Sequence, residues 1–81
     1  MKFKIGNRVV GKGTYEGTKI EGLSGTIVGN ITYPNGNYNV RWDIFFPTFH
    51  DCGGRCETGH GWNVPQNNLK KGYPDWKKII K

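Results

Sequence analysis

Eighty-one residues, thirteen of them glycine and only 35% apolar, leave room for one small domain with a thin hydrophobic core. No stretch approaches the roughly twenty apolar residues of a membrane span, and the opening MKFKIGNRVVGKG lacks the apolar run of a secretory leader. A soluble, intracellular single domain over residues 1–81 with no membrane partner is therefore expected. Twelve Lys and Arg against six Asp and Glu give a net charge of +6, which steers the chain toward nucleic acid or an acidic patch on another protein; the same lysines also serve solubility.

Short β-type runs follow one another between glycine-rich turns. Ile5-Gly6-Asn7 opens a first strand at Arg8-Val9-Val10. Residues 11–22 hold four glycines and mixed charges, the composition of a mobile loop. The β-branched run from Gly25 to Thr32 predicts a strand, and Pro34-Asn35-Gly36-Asn37 a tight turn. Tyr38 to Asp43 then returns with period-two alternation, setting Tyr38, Val40 and Trp42 on one face and Arg41 on the other. Beyond the long excursion at about 44–61, Gly61-Trp62-Asn63-Val64 reads as a short strand. Pro65 to Asn68 reads as a 3₁₀ turn, and Leu69-Lys70-Lys71 can close the sheet. Pro74 and Asp75 start a short C-terminal helix whose Trp76, Ile79 and Ile80 share a face. A helix this short needs a surface to dock on, either its own barrel or a partner.

Within the excursion, residues 50–60 contain both cysteines and both histidines of the chain: His50, Cys52, Cys56 and His60. Two thiolates and two imidazoles form a common tetrahedral zinc set, and four protein ligands make the ion structural rather than catalytic. Glycines at 53, 54, 59 and 61 give the backbone freedom to wrap an ion. The spacing departs from standard fingers, because three residues separate Cys52 from Cys56. Two other readings stay open: a Cys52–Cys56 disulfide, and free thiols with surface histidines. Asp51 or Asp43 is the natural replacement if one histidine does not ligate.

Catalysis is not expected. The chain has no Ser-His-Asp arrangement or paired carboxylates, and Gly11-Lys12-Gly13-Thr14 lacks the preceding glycine of a phosphate loop. A Cys56–His60 nucleophile and base would compete with zinc for the same atoms. No small-molecule substrate is indicated.

The order of these pieces resembles an SH3-like barrel: a Gly-x-Arg-Val opening, Gly-Thr-Ile-Val, Tyr-x-Val-x-Trp-Asp, an excursion, Gly-Trp-x-Val, a one-turn helix and a leucine. Residues 5–13 and 23–43 look like the first three strands of KOW, Tudor-like and Mib-Herc2-type modules, and 61–71 like the last two. The fold class so implied is mainly β, a small SH3-like barrel with a long zinc-stabilised loop and a short C-terminal helix. Barrels of this kind bind RNA, methylated peptides and proteins alike.

A second resemblance rests on His50-Asp51-Cys52-Gly53-Gly54-Arg55-Cys56 followed by Gly59-His60-Gly61-Trp62-Asn63-Val64-Pro65. With the small size and basic charge, this string resembles the phage-encoded zinc-binding anti-CRISPR proteins of the type II-A class. That resemblance implies a non-catalytic inhibitor in the cytoplasm of an infected bacterial host, binding the type II RNA-guided nuclease and blocking target-DNA loading. A basic chain is unsuited to mimic DNA and should instead seek an acidic protein surface. The partner-binding candidates are Lys70, Lys71, Lys77 and Lys78, with Tyr73 or Trp76 as aromatic anchor. The alternative is a basic SH3-like nucleic-acid-binding or regulatory phage protein. In it Tyr15, Tyr33, Tyr38 and Trp42 stack bases while Lys12 and Arg41 meet phosphates.

Overall fold

The computed structural model describes residues 3–30 and 36–72. Six strands and one 3₁₀ turn run in the order β1 (Arg8–Gly11), β2 (Thr14–Tyr15), β3 (Thr18–Lys19), β4 (Ser24–Asn30), β5 (Tyr38–Trp42), a 3₁₀ turn (Gln66–Asn68) and β6 (Leu69–Lys71). An antiparallel sheet joins four of them in the order β5-β4-β1-β6, and β2 and β3 pair separately. The architecture is mainly β, as expected. Among the described residues no helix is long and apolar enough to cross a membrane. The helix predicted after Pro74 lies outside the described residues, as does most of the turn between β4 and β5.

The inward face of β5 is the one the alternation predicts. Tyr38, Val40 and Trp42 are fully buried, whereas Arg41 is half-exposed. They join Phe3, Val9, Ile20, Ile27, Phe49, Val64 and Leu69 in one core. Burying each large apolar side chain contributes about 1.5–3 kcal/mol, so the two halves of the chain are tied together mainly through this cluster. The polar tip of Tyr38 is also satisfied, its hydroxyl accepting the Phe3 N–H at 3.0 Å.

Residues 11–22 differ from the mobile loop expected. Thr14 pairs with Lys19 and Tyr15 with Thr18, and the connecting Glu16 and Gly17 both have positive φ, 50° and 80°. That is the pattern of the two-residue turn that best matches strand twist. The hairpin is then anchored by Ile20, which is completely buried. Glycine content concealed a turn signal because the first turn residue is Glu, not Asn or Asp.

Beyond β5 the excursion returns along the outer edge of that strand. Tyr38 and Val64 exchange both backbone hydrogen bonds, the Trp62 N–H reaches the Val40 carbonyl, and the Trp42 N–H reaches the His60 carbonyl. The expected strand at 61–64 is present as isolated bridges to Tyr38, Arg41 and His50.

Close packing of the sheet makes one glycine position intolerant. A Cβ on Gly25 would stand 2.8 Å from Val40 Cγ1 and 2.9 Å from the Arg41 carbonyl oxygen. Overpacking of this kind costs about 1–3 kcal/mol. Gly25→Ala should therefore lower the melting temperature by roughly 4–8 °C per kcal/mol in a domain of this size. Thermal denaturation followed by circular dichroism checks this, and an unchanged transition would mean the strands can separate without loss.

Candidate functional site: the Cys/His loop

The turn carrying both cysteines is organised by Asp51. Its carbonyl oxygen accepts the N–H groups of Gly54, Arg55 and Cys56 at 3.0, 2.9 and 3.1 Å. Its carboxylate accepts the Gly53 N–H at 3.1 Å, an arrangement that Asp adopts readily because the side chain mimics a backbone turn. Cys52 enters this turn with φ of 53°, a conformation uncommon for a non-glycine residue.

Cys52 is buried and points into a polar seam. Its Sγ donates toward Asn63 Oδ1 at 3.4 Å and lies 3.7 Å from the Val40 carbonyl. Asn63 Oδ1 also accepts from Asn39 Nδ2 at 2.8 Å. Cys56 is half-exposed, and the two cysteines are free rather than bridged. Burial pushes the Cys52 thiol up to about 12, reinforced by the proximity of Cys56. Burial also raises Cys56. Both are therefore neutral thiols at physiological pH.

The histidines face elsewhere. His60 places Nδ1 2.8 Å from the Trp42 carbonyl. A carbonyl can only accept, so Nδ1 carries a proton, and in the neutral ring Nε2 keeps the lone pair that a metal ligand needs. His50 is set the other way: its Nδ1 accepts the Cys52 N–H at 2.9 Å, so in the neutral ring Nε2 holds the proton. The His50 ring lies against Trp62, centroids 5.8 Å apart, and the His60 ring against Phe45 at 6.0 Å. Among the described residues no three or more His, Cys, Asp or Glu side chains are grouped to hold a metal ion. The donor chemistry suits zinc, but this arrangement does not gather the four donors. Holding the ion would require His50 to surrender its bond to the Cys52 N–H. The replacement ligands are committed too, Asp51 to its turn and Asp43 to Arg8.

Charged side chains brace the loop from outside. Arg41 grips Glu57 with Nε–Oε1 at 2.7 Å and Nη2–Oε2 at 3.1 Å, and this holds the exposed Glu57 carboxylate down to about 2. Arg8 binds Asp43 in the same two-pronged way at 2.9 and 2.6 Å, which lowers Asp43. Both carboxylates favour the folded state when ionised. That contribution is present at neutral pH and fades as pH falls through their depressed values; at these exposures it is small. Arg55, though exposed, folds back over the turn, its Nη1 donating to the Cys52 carbonyl at 3.2 Å. Its side chain crosses Gly29, where a Cβ would stand 2.7 Å from Arg55 Nε and 2.6 Å from Asn39 Oδ1.

Sequence reasoning did not single out Asn39, Asn63 or Arg55 as parts of this site. Alternation placed Asn39 on the outer face of β5 with Arg41, yet it is only 3% exposed, and its Oδ1 is buried without a partner, as is Trp62 Nε1. No local signal marks Asn39, because its burial comes from the returning loop. Of the partner-binding candidates, Lys70 and Lys71 are exposed on β6, at the end of the sheet beside β1. Tyr73, Trp76, Lys77 and Lys78 lie outside the described residues.

Gly61 is the pivot of the loop's return. A Cβ there would stand 2.7 Å from the His50 carbonyl oxygen and 2.8 Å from Cys52 Sγ. Gly61→Ala should destabilise the domain by about 1–3 kcal/mol and open the seam. Labelling of the native protein with a maleimide should then rise from Cys56 alone to both thiols, while continued protection of Cys52 would show that the loop absorbs the methyl group.

No curated protein and no solved structure matches the chain. The family model described as the Xrn1 SH3-like domain matches residues 1–71, which span every strand described above. The chain belongs to the Xrn1 SH3-like domain family.

Proposed function

We propose that this domain is a non-catalytic inhibitor of the anti-CRISPR kind, which binds a type II RNA-guided nuclease through an acidic surface of that enzyme and obstructs target-DNA loading. The observation that carries the reading is the state of the cations. All three arginines are engaged within the fold, on Asp43, Glu57 and the Cys52 carbonyl, whereas Lys70 and Lys71 stand exposed on β6. Guanidinium groups supply two-pronged phosphate recognition, and lysine supplies diffuse point charge. A surface of free lysines suits electrostatic docking on an acidic protein.

The nucleic-acid alternative loses its stacking platform. Tyr38 is 1% exposed and Trp42 is fully buried, so neither can meet a base. Tyr15 is half-buried and its hydroxyl accepts from Asn37 Nδ2 at 3.2 Å. Arg41 is occupied by Glu57, and Tyr33 lies outside the described residues. What supports the inhibitor is thus the cation arrangement together with the loop sequence.

Inhibition should be stoichiometric, saturating near one domain per nuclease, and should weaken as salt screens the lysines. Charge reversal at Lys70 and Lys71 together should reduce inhibition at least tenfold while leaving the melting temperature within a few degrees. Mobility-shift assays separate the readings, one with guide-loaded nuclease and target DNA, one with bare DNA or RNA. Untouched nuclease activity alongside retarded bare nucleic acid would remove the inhibitor reading.

A structural zinc ion on Cys52 and Cys56 belongs to the same proposal, supported by the ready tautomer of His60. Because binding must move His50 off the Cys52 N–H, adding zinc to chelator-treated protein should change Trp62 fluorescence and bring about one equivalent of metal. Absence of both effects would exclude the ion.

A further inference from the structure

We propose that Cys52 and Cys56 form a reversible dithiol–disulfide pair, closed within a single turn, that couples thiol redox state to the seam between β5 and residues 61–64. Three N–H groups converging on the Asp51 carbonyl curl residues 51–56 into one turn that carries both free thiols, and Cys52, at positive φ, has its side chain buried. A bridge between the two closes a ring within this one turn of chain, its sulfurs moving to ordinary disulfide geometry.

Access is unequal, and that sets the order of events. Cys56 is half-exposed, whereas Cys52 is 3% exposed. A low-molecular-weight disulfide meets Cys56 first. The Cys56 sulfur attacks it, forming a mixed disulfide and releasing one thiol. The Cys52 sulfur then attacks the Cys56 sulfur and expels the second thiol, by ordinary exchange. The two protein thiols give up two electrons and two protons, and one disulfide molecule becomes two thiols. Excess thiol reverses both steps.

Oxidation has a definite structural cost. The single Cys52 S–H can donate to Asn63 Oδ1, the nearer acceptor, or to the Val40 carbonyl, and a disulfide sulfur donates nothing. Asn63 Oδ1 is then left with Asn39 Nδ2, in a seam where Asn39 Oδ1 already lacks a partner. The backbone bonds from Trp62 to Val40 and from Val64 to Tyr38 border this change directly.

The test treats the full chain with oxidised glutathione at neutral pH, with a chelator present so that no bound metal masks the thiols, and reads intact mass. The wild-type protein should become lighter by two hydrogens with no glutathione retained, and reduced glutathione should restore it. Cys52→Ser should hold one glutathione on Cys56, and Cys56→Ser should stay unmodified over the same period. Amide exchange at Trp62 and Val64 should accelerate several-fold in the oxidised wild type. A wild-type chain that stays reduced or retains glutathione overturns the pair, and unchanged exchange in a fully oxidised chain overturns its coupling to the seam.

Discussion

The rest of this structure depends on β5 being hydrogen-bonded along both edges. On one side it pairs with β4 from Gly25↔Trp42 to Asn30↔Tyr38. On the other, Tyr38, Val40 and Trp42 bond the returning residues 60–64. A strand bonded along both edges offers little for another chain to pair with, and its inward residues form the centre of the core. The Trp42 indole N–H ties the two sides together through the Trp62 carbonyl at 3.2 Å. Every element of the Cys/His loop is positioned relative to this strand.

The loop is held by an aromatic cluster at its base, where Phe46 and Trp62 pack on Phe49, and by polar contacts beyond it. Phe49 supplies its one buried aromatic anchor, stacked on Trp62 with centroids 5.2 Å apart. The remainder rests on the Asp51 turn, the Asn39–Asn63–Cys52 seam and the Arg41–Glu57 pair. Such networks specify a single geometry when fully satisfied, and are sensitive where one member lacks a partner. Asn39 Oδ1 is such a point, so the seam is where small chemical changes have the most leverage.

Much of the fold was legible in the sequence because period-two alternation and turn chemistry are local. The strands Arg8–Gly11, Ser24–Asn30, Tyr38–Trp42 and Leu69–Lys71, and the turn at Gln66–Asn68, could all be anticipated from such patterns. The β2–β3 hairpin was not, since Glu16 occupies a left-handed position that sequence statistics assign to Asn, Asp or Gly. The crowding of cysteine and histidine drew attention to residues 50–60, which the Asp51 carbonyl curls into a turn. Composition could not tell which way each ring faces. The orientations of His50 and His60 are fixed by a backbone N–H and a carbonyl, one in the loop and one on β5, and neither leaves a mark in the sequence. Burial of Asn39 is likewise a property of the assembled loop.

One surface side chain carries a consequence of its own. Phe45 is 58% exposed, yet its ring lies so close over Gly59 that no Cβ could fit between them, and its edge meets His60. An aromatic ring braced in this way has surrendered most of its rotational freedom before anything touches it. A surface that came to cover Phe45 and its neighbour Ile44 would gain apolar contact without the entropic penalty that ordering a loose side chain imposes.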